Sequence, residues 1–162
     1  MNFPRPEFEA KLCPPELLAK RAAGLAKRLV FTNGCFDILH RGHATYLAQA
    51  RALGASLVVA VNSDESVRRL GKGAGRPVNC LTDRMALLAA LESVSLVTSF
   101  DEDTPLQAIL RCQPDVLVKG GDWPPEKIIG APETLAHGGQ VFSIPFVHPH
   151  STSKIVDTIR RL

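Results

Sequence analysis

The 162-residue sequence predicts an α/β fold, a single-domain doubly wound parallel sheet of five strands, and three observations carry that prediction. Five short runs rich in β-branched and apolar residues have the composition of strands buried on both faces. Helical stretches alternate with them, which is the pattern of a parallel sheet. Apolar residues make up 45% and charged residues 22% of a chain long enough to build one full core, so neither disorder nor a second domain is required.

The strands are expected at LVFTN (29–33), SLVVAVN (56–62), SLVTSF (95–100), DVLVKG (115–120) and QVFSIPF (140–146). The helices are expected at HATYLAQARAL, closed by Gly54, at TDRMALLAALES with Thr82 as N-cap, and at TPLQAILRCQ with Thr104 as N-cap and Pro105 in the first turn. APETLAHGG supplies a fourth helix that stops at paired glycines, and STSKIVDTIRRL a fifth that opens on hydroxyls and closes on cations. Residues 14–28, following a proline pair, read as a helical lead-in, so the chain divides into a lead-in over 1–28 and the domain over 29–162.

A net charge of +3 without a long Lys/Arg block excludes a nucleic-acid-binding stripe and points to small anionic ligands. Cys13, Cys35, Cys80 and Cys112 form no CxxC pair, which fits a reducing cytoplasm better than a disulfide scaffold. The N-terminus lacks the order of a signal peptide and no apolar run has the length of a membrane span, so secretion and membrane insertion are not expected.

In a doubly wound sheet, ligands bind beyond the carboxyl ends of strands where the strand order reverses. The first strand ends in TNGCFDILHRGH (32–43), where Asn33-Gly34 makes a tight turn and backbone N–H groups become available to a phosphate. Neither GxxxxGK[ST] nor GxGxxG is present, so the phosphate ligands fall to His40 and His43, which flank Gly42. Imidazoles there can donate to phosphate oxygens and stabilise charge on a departing one. A metal is the competing reading: Asp37, His40 and His43, at steps of three, could give zinc or iron two nitrogens and an oxygen, although no fourth ligand is evident.

The segment NGCFDILHRGH resembles the signature of the HxGH nucleotidylyltransferase superfamily. VFTNGCFDILHRGHATYLAQARALG, VAVNSDESVRRLGKGAGRPVN, DRMALLAALESV, SFDEDTP and PDVLVKGGDW extend the likeness, in order, to its ADP-heptose-forming adenylyltransferases in their stand-alone form. The resemblance implies a Rossmann-like fold, a cytoplasmic homo-oligomer (a dimer), and transfer of AMP from ATP to D-glycero-β-D-manno-heptose 1-phosphate for lipopolysaccharide core synthesis. Pyrophosphate is the other product. A cytidylyltransferase acting on a polyol phosphate such as glycerol 3-phosphate is the alternative. The cofactor implied is Mg²⁺, carried by ATP rather than by the protein alone, with Asp37 a candidate for orienting either the metal or the acceptor sugar phosphate.

Carried over residue by residue, the resemblance makes His40 and His43 catalytic and gives nucleotide contacts to Asn33, Gly34, Cys35, Phe36 and Gly42. Ser151, Thr152 and Ser153 at the last helix could simply be N-caps, but three hydroxyls at a positive helix end also form an anion site. The resemblance assigns that element the β- and γ-phosphates. His148, Pro149 and His150 precede it where relatives usually have Gly-Cys or Gly-Ile. Lys119 and Gly120 are placed to meet the nucleotide and Gly121 to let it lie against the backbone, with Asp122 and Trp123 able to reach ribose, base or sugar. Lys72 and Arg76, in GKGAGRP (71–77), read either as ordinary surface charge or as a flap over the sugar phosphate, Lys72 then with a catalytic role. Arg84 and Asp64 fall in matching segments and equally suit caps, helix surface or subunit contacts. Cys35 is read as a small turn residue, since a direct displacement needs no nucleophile.

Overall fold

The computed structural model describes residues 3–71, 73, 75–148 and 150–162. Five parallel strands, β1 (Leu29–Gly34), β2 (Ser56–Asn62), β3 (Leu96–Phe100), β4 (Val116–Gly120) and β5 (Gln140–Ile144), lie in the order β3-β2-β1-β4-β5. The chain winds outward from β1 to β3, then returns to lay β4 against the other side of β1. The order therefore reverses between β1 and β4, and their carboxyl ends open the crevice such sheets use for ligands.

Seven α-helices complete the described structure: α1 (Leu18–Ala23), α2 (Arg41–Arg51), α3 (Asp64–Arg69), α4 (Leu81–Ala89), α5 (Leu106–Cys112), α6 (Ala131–Ala136) and α7 (Thr152–Ile159). The period-two alternation of the strands sorts their side chains into two cores. Leu29, Phe31, Val58, Ala60, Leu96 and Leu117 pack with residues of α1, α5 and α6. Val30, Leu57, Val59, Val61, Val97, Val116 and Val118 pack with residues of α2 and α4 on the opposite face. β2 is buried along its whole length, whereas β5 is an edge strand whose Gln140 and Phe142 are exposed. The expectation of burial on both faces thus fails for β5, although β3, at the other edge of the sheet, is buried.

Helix ends depart from the expected ones. The lead-in holds two 3₁₀ turns (Glu7–Lys11 and Pro15–Leu17) and a single short helix capped at Gly24, because the chain must straighten into β1. Leu12 bridges in parallel to Val97, and Cys13, Leu18 and Ala22 enter the core. α4 begins one residue before Thr82, with Cys80 at its N-cap, and α5 begins after Pro105; neither helix has a side-chain capping bond. α3 was not expected; Ser63 caps it by accepting from the Ser66 N–H at 2.9 Å. Gly54 is required by close approach: a Cβ there would lie 2.4 Å from the Arg28 carbonyl oxygen.

Candidate active site

β1 delivers Asn33 and Gly34 to the crevice, and β4 delivers Lys119 and Gly120 beside them; the Lys119 ammonium donates to Asn33 Oδ1 at 3.3 Å. Beneath this junction Tyr46 of α2 ties the two strands together. Its hydroxyl shares a 2.6 Å hydrogen bond with Thr32 Oγ1 and donates to the Val118 carbonyl at 3.4 Å, and burial pushes the phenol pKa up, so it stays neutral.

Past Gly34 the backbone turns sharply. Phe36 holds φ +47°, a left-handed conformation rare outside glycine, asparagine and aspartate, and its ring folds back to 3.0 Å from where a Gly34 Cβ would stand. Two groups fix this turn from behind. The Asp37 carboxylate, 1% exposed, accepts from the Val78 N–H at 2.8 Å, the Asn79 N–H at 3.0 Å and the Arg76 guanidinium. Arg84, fully buried, donates to the carbonyls of Cys35, Asn62 and Asn79 and to the Asp64 carboxylate.

His40 and His43 then stack, ring centroids 3.8 Å apart and planes 19° from parallel, with Phe36 edge-on to His43. Gly42 makes room for this: a Cβ there would stand 3.0 Å from Cε1 and Nδ1 of His40. Nδ1 of His40 is buried and has no hydrogen-bond partner among the described residues. Burial, then the charge of His150, holds the His40 pKa below its ordinary 6.5, so the ring is neutral at pH 7 and presents one N–H donor. Nearly parallel rings set their nitrogens side by side instead of converging on one ion. Among the described residues no group of three His, Cys, Asp or Glu could hold a metal, and the Asp37 carboxylate accepts three hydrogen bonds from the protein.

Two adjoining chambers meet at His43, Arg76, Phe146 and Thr152. One, about 190 Å³, is lined by the residue 33–37 turn, Lys119 and Gly120. The other, about 420 Å³, is lined by His40, His150 and residues 151–153. Ser151 caps α7 by accepting from the Lys154 N–H at 3.2 Å, while Thr152 reaches the Ile38 carbonyl at 3.5 Å. The walls carry two fixed cations, Arg76 and Lys119, against one carboxylate, that of Asp37, which pairs with Arg76. A third chamber of about 230 Å³ adjoins the first through Asn33 and Lys119 and includes Trp123, which is 51% exposed.

The structure therefore brings together Asn33 through Asp37, His40, Gly42, His43, Arg76, Lys119, Gly120 and residues 151–153. Trp123 stands in the neighbouring chamber and Asp122 on the exposed surface. Lys72 lies outside the described residues. Asp37 lines the smaller chamber, its oxygens accepting from Arg76 and the 78–79 backbone. Sequence reasoning missed Phe146, which rests edge-on against Tyr46 and needs the missing side chain of Gly120, where a Cβ would come within 2.7 Å of it. It also missed Tyr46, for which the sole tyrosine beside HxGH is the signal.

Comparison with known proteins agrees with this architecture. The chain is 55% identical over 156 residues, 95% of its length and 96% of the relative's, to the D-beta-D-heptose 1-phosphate adenylyltransferase of Bordetella bronchiseptica. It is 58% identical over 133 residues to the bifunctional protein HldE of Shewanella amazonensis, of whose length it spans 28%. Among solved structures it resembles the lipopolysaccharide core biosynthesis protein of Thermoplasma volcanium, with a TM-score of 0.61 and 28% identity, over 78% of this chain and 100% of that one. Residues 31–156 match the family described as cytidylyltransferase-like, and with that match spanning most of the chain, this protein belongs to the cytidylyltransferase-like family.

Proposed function

We propose that the chain transfers AMP from ATP to D-glycero-β-D-manno-heptose 1-phosphate, forming ADP-heptose and pyrophosphate. One observation carries the reading: stacked His40 and His43 stand where the chamber of the β1 turn opens into the chamber at the start of α7, a continuous path of imidazoles, hydroxyls, Arg76 and Lys119 that suits a triphosphate. The 55% identity to a heptose 1-phosphate adenylyltransferase supports the choice of both substrates.

The α-phosphate of ATP rests against the residue 33–37 turn, and the β- and γ-phosphates lie toward Thr152 and Ser153 and the N-terminus of α7. A phosphate oxygen of the heptose 1-phosphate attacks the α-phosphorus as the bond to the bridging oxygen breaks, and pyrophosphate leaves toward α7. The attacking oxygen is already anionic, so no general base is needed. Donors from His40, His43 and Lys119 stabilise the charge that builds on the phosphoryl oxygens and the leaving group. Arg76, held by Asp37, faces both chambers and screens the approach of two anions. A divalent cation, Mg²⁺ in our reading, would be held by the triphosphate and would neutralise its charge, since the described residues form no cage for it.

No helix among the described residues is long and apolar enough to cross a membrane, and we place the reaction in the cytoplasm, with its ATP. The family description favours a second reading, CTP with a polyol phosphate. Pyrophosphate release with ATP or CTP against β-heptose 1-phosphate or glycerol 3-phosphate separates them. Release confined to ATP with the heptose phosphate is the expected result, and release confined to CTP with glycerol 3-phosphate would overturn it.

A further inference from the structure

We propose that Arg84 is a positioning residue that sets the polarity of the phosphate-facing turn, aiming the Phe36 N–H into the crevice. This rests on the reading of the crevice as a phosphate site. Arg84 is the largest fully buried side chain of the protein, and burying a guanidinium costs several kcal/mol unless its donors are matched. Here they are matched by four acceptors from four places: Cys35 O at 2.6 Å, Asn62 O at 2.8 Å, Asn79 O at 3.0 Å and Asp64 Oδ1 at 2.7 Å. None of these acceptors needs an arginine in order to fold a helix. Cys35 belongs to the turn that lines the smaller chamber, and Arg84 ties it to the end of β2, the start of α3 and Asn79.

The bond to Cys35 is the informative one. In a trans peptide the C=O and the following N–H point in opposite directions. Holding the Cys35 carbonyl inward on Arg84 therefore turns the N–H of Phe36 outward, toward the side where Cys35, Phe36 and His43 line the chamber. The flipped alternative would point a carbonyl oxygen at an incoming phosphate and repel it. The positive φ of Phe36 belongs to the same device: a strained residue persists only where its surroundings over-determine it. Arg84 grips the carbonyl before Phe36, and the Val78 and Asn79 N–H groups grip the Asp37 carboxylate after it. The segment from Arg76 to Arg84 thus forms a brace for the turn, and the same brace delivers Arg76 to the ligand.

The test uses the ¹⁵N-labelled full chain titrated with pyrophosphate, together with turnover of ATP and heptose 1-phosphate. In the wild type the Phe36 amide resonance moves on saturation, alongside those of His40 and His43. In Arg84→Lys, which keeps a charge but cannot span three carbonyls and a carboxylate, the Phe36 response is lost. kcat then falls by about 10- to 100-fold while KM for the heptose phosphate stays within about threefold, as expected when a group is displaced and not removed. A folded Arg84→Lys with wild-type turnover and an unchanged Phe36 response overturns the proposal. If that variant does not fold, the wild type still decides: a Phe36 amide that stays put while the histidine resonances move also overturns it. If neither Phe36 nor the histidines respond in the wild type, the phosphate reading itself fails.

Discussion

Gly42→Ala should separate catalysis from folding at a single methyl group. The new Cβ would lie 3.0 Å from Cε1 and Nδ1 of His40, several tenths of an ångström inside ordinary contact, so the ring must swing away from its stack on His43. Forcing a side chain about 30° off its rotamer costs ~0.5–1.5 kcal/mol. Replacing glycine by alanine within α2 returns up to ~1 kcal/mol of helix propensity. The two nearly cancel, so the melting temperature should move by no more than about 4 °C. Catalysis has no such offset, because a donor displaced by about 1 Å from a transition state costs up to ~10²-fold in rate. Steady-state pyrophosphate release paired with thermal unfolding reads both quantities. Wild-type turnover in a folded Gly42→Ala protein would refute the claim that His40 must sit against His43.

Three further outcomes follow from the same geometry. His43→Ala should lower kcat by about 10²- to 10³-fold, the typical worth of one preorganised donor, with a native circular dichroism spectrum; a loss under tenfold would count against its role. His40, with its pKa held down by burial and by His150, should titrate below 6.5 in proton NMR of the free protein. The unfolded chain then binds a proton that the native state refuses, so His40's contribution to stability is intact above about 6.5 and falls as the pH drops through the native pKa; a His40 pKa above 6.5 would contradict this. Gly54→Ala places a Cβ 2.4 Å from a backbone oxygen and 2.7 Å from Val30 Cγ2, so it should destabilise by ~1–3 kcal/mol in denaturant melts while the folded fraction keeps its activity. An unchanged midpoint would show that the 54–55 turn relaxes freely.

The strands were legible because burial on both faces leaves an uninterrupted apolar signature, and four of the five start and stop within a residue of their expected bounds. β5 was placed but not its exposure, since a run of apolar residues does not say which strand the helices leave uncovered. α3 escaped notice although Ser63, two acidic residues behind it and Arg68-Arg69 at its end carry the pattern of a capped short helix. The histidine pair and the hydroxyl triplet could be read from spacing and resemblance. The supports of the site could not. Asp37 stands three residues before His40 and invites a ligand role; only the fold reveals that residues 76–79, some forty positions away, claim its oxygens. Arg84 sits in a helix between Thr82-Asp83 and Met85-Ala86, and nothing local distinguishes an arginine on solvent from one buried against Cys35. Phe36 in a left-handed conformation is likewise invisible, since sequence rules look for glycine or asparagine there.

Direct passage of AMP across the crevice, with no protein nucleophile, is tested most directly by stereochemistry at the α-phosphorus. With ATP made chiral at that position by sulfur substitution, a single in-line displacement predicts an ADP-heptose product of inverted configuration. Retention would mean two displacements through a covalent intermediate, and would contradict a site built from positioned donors alone.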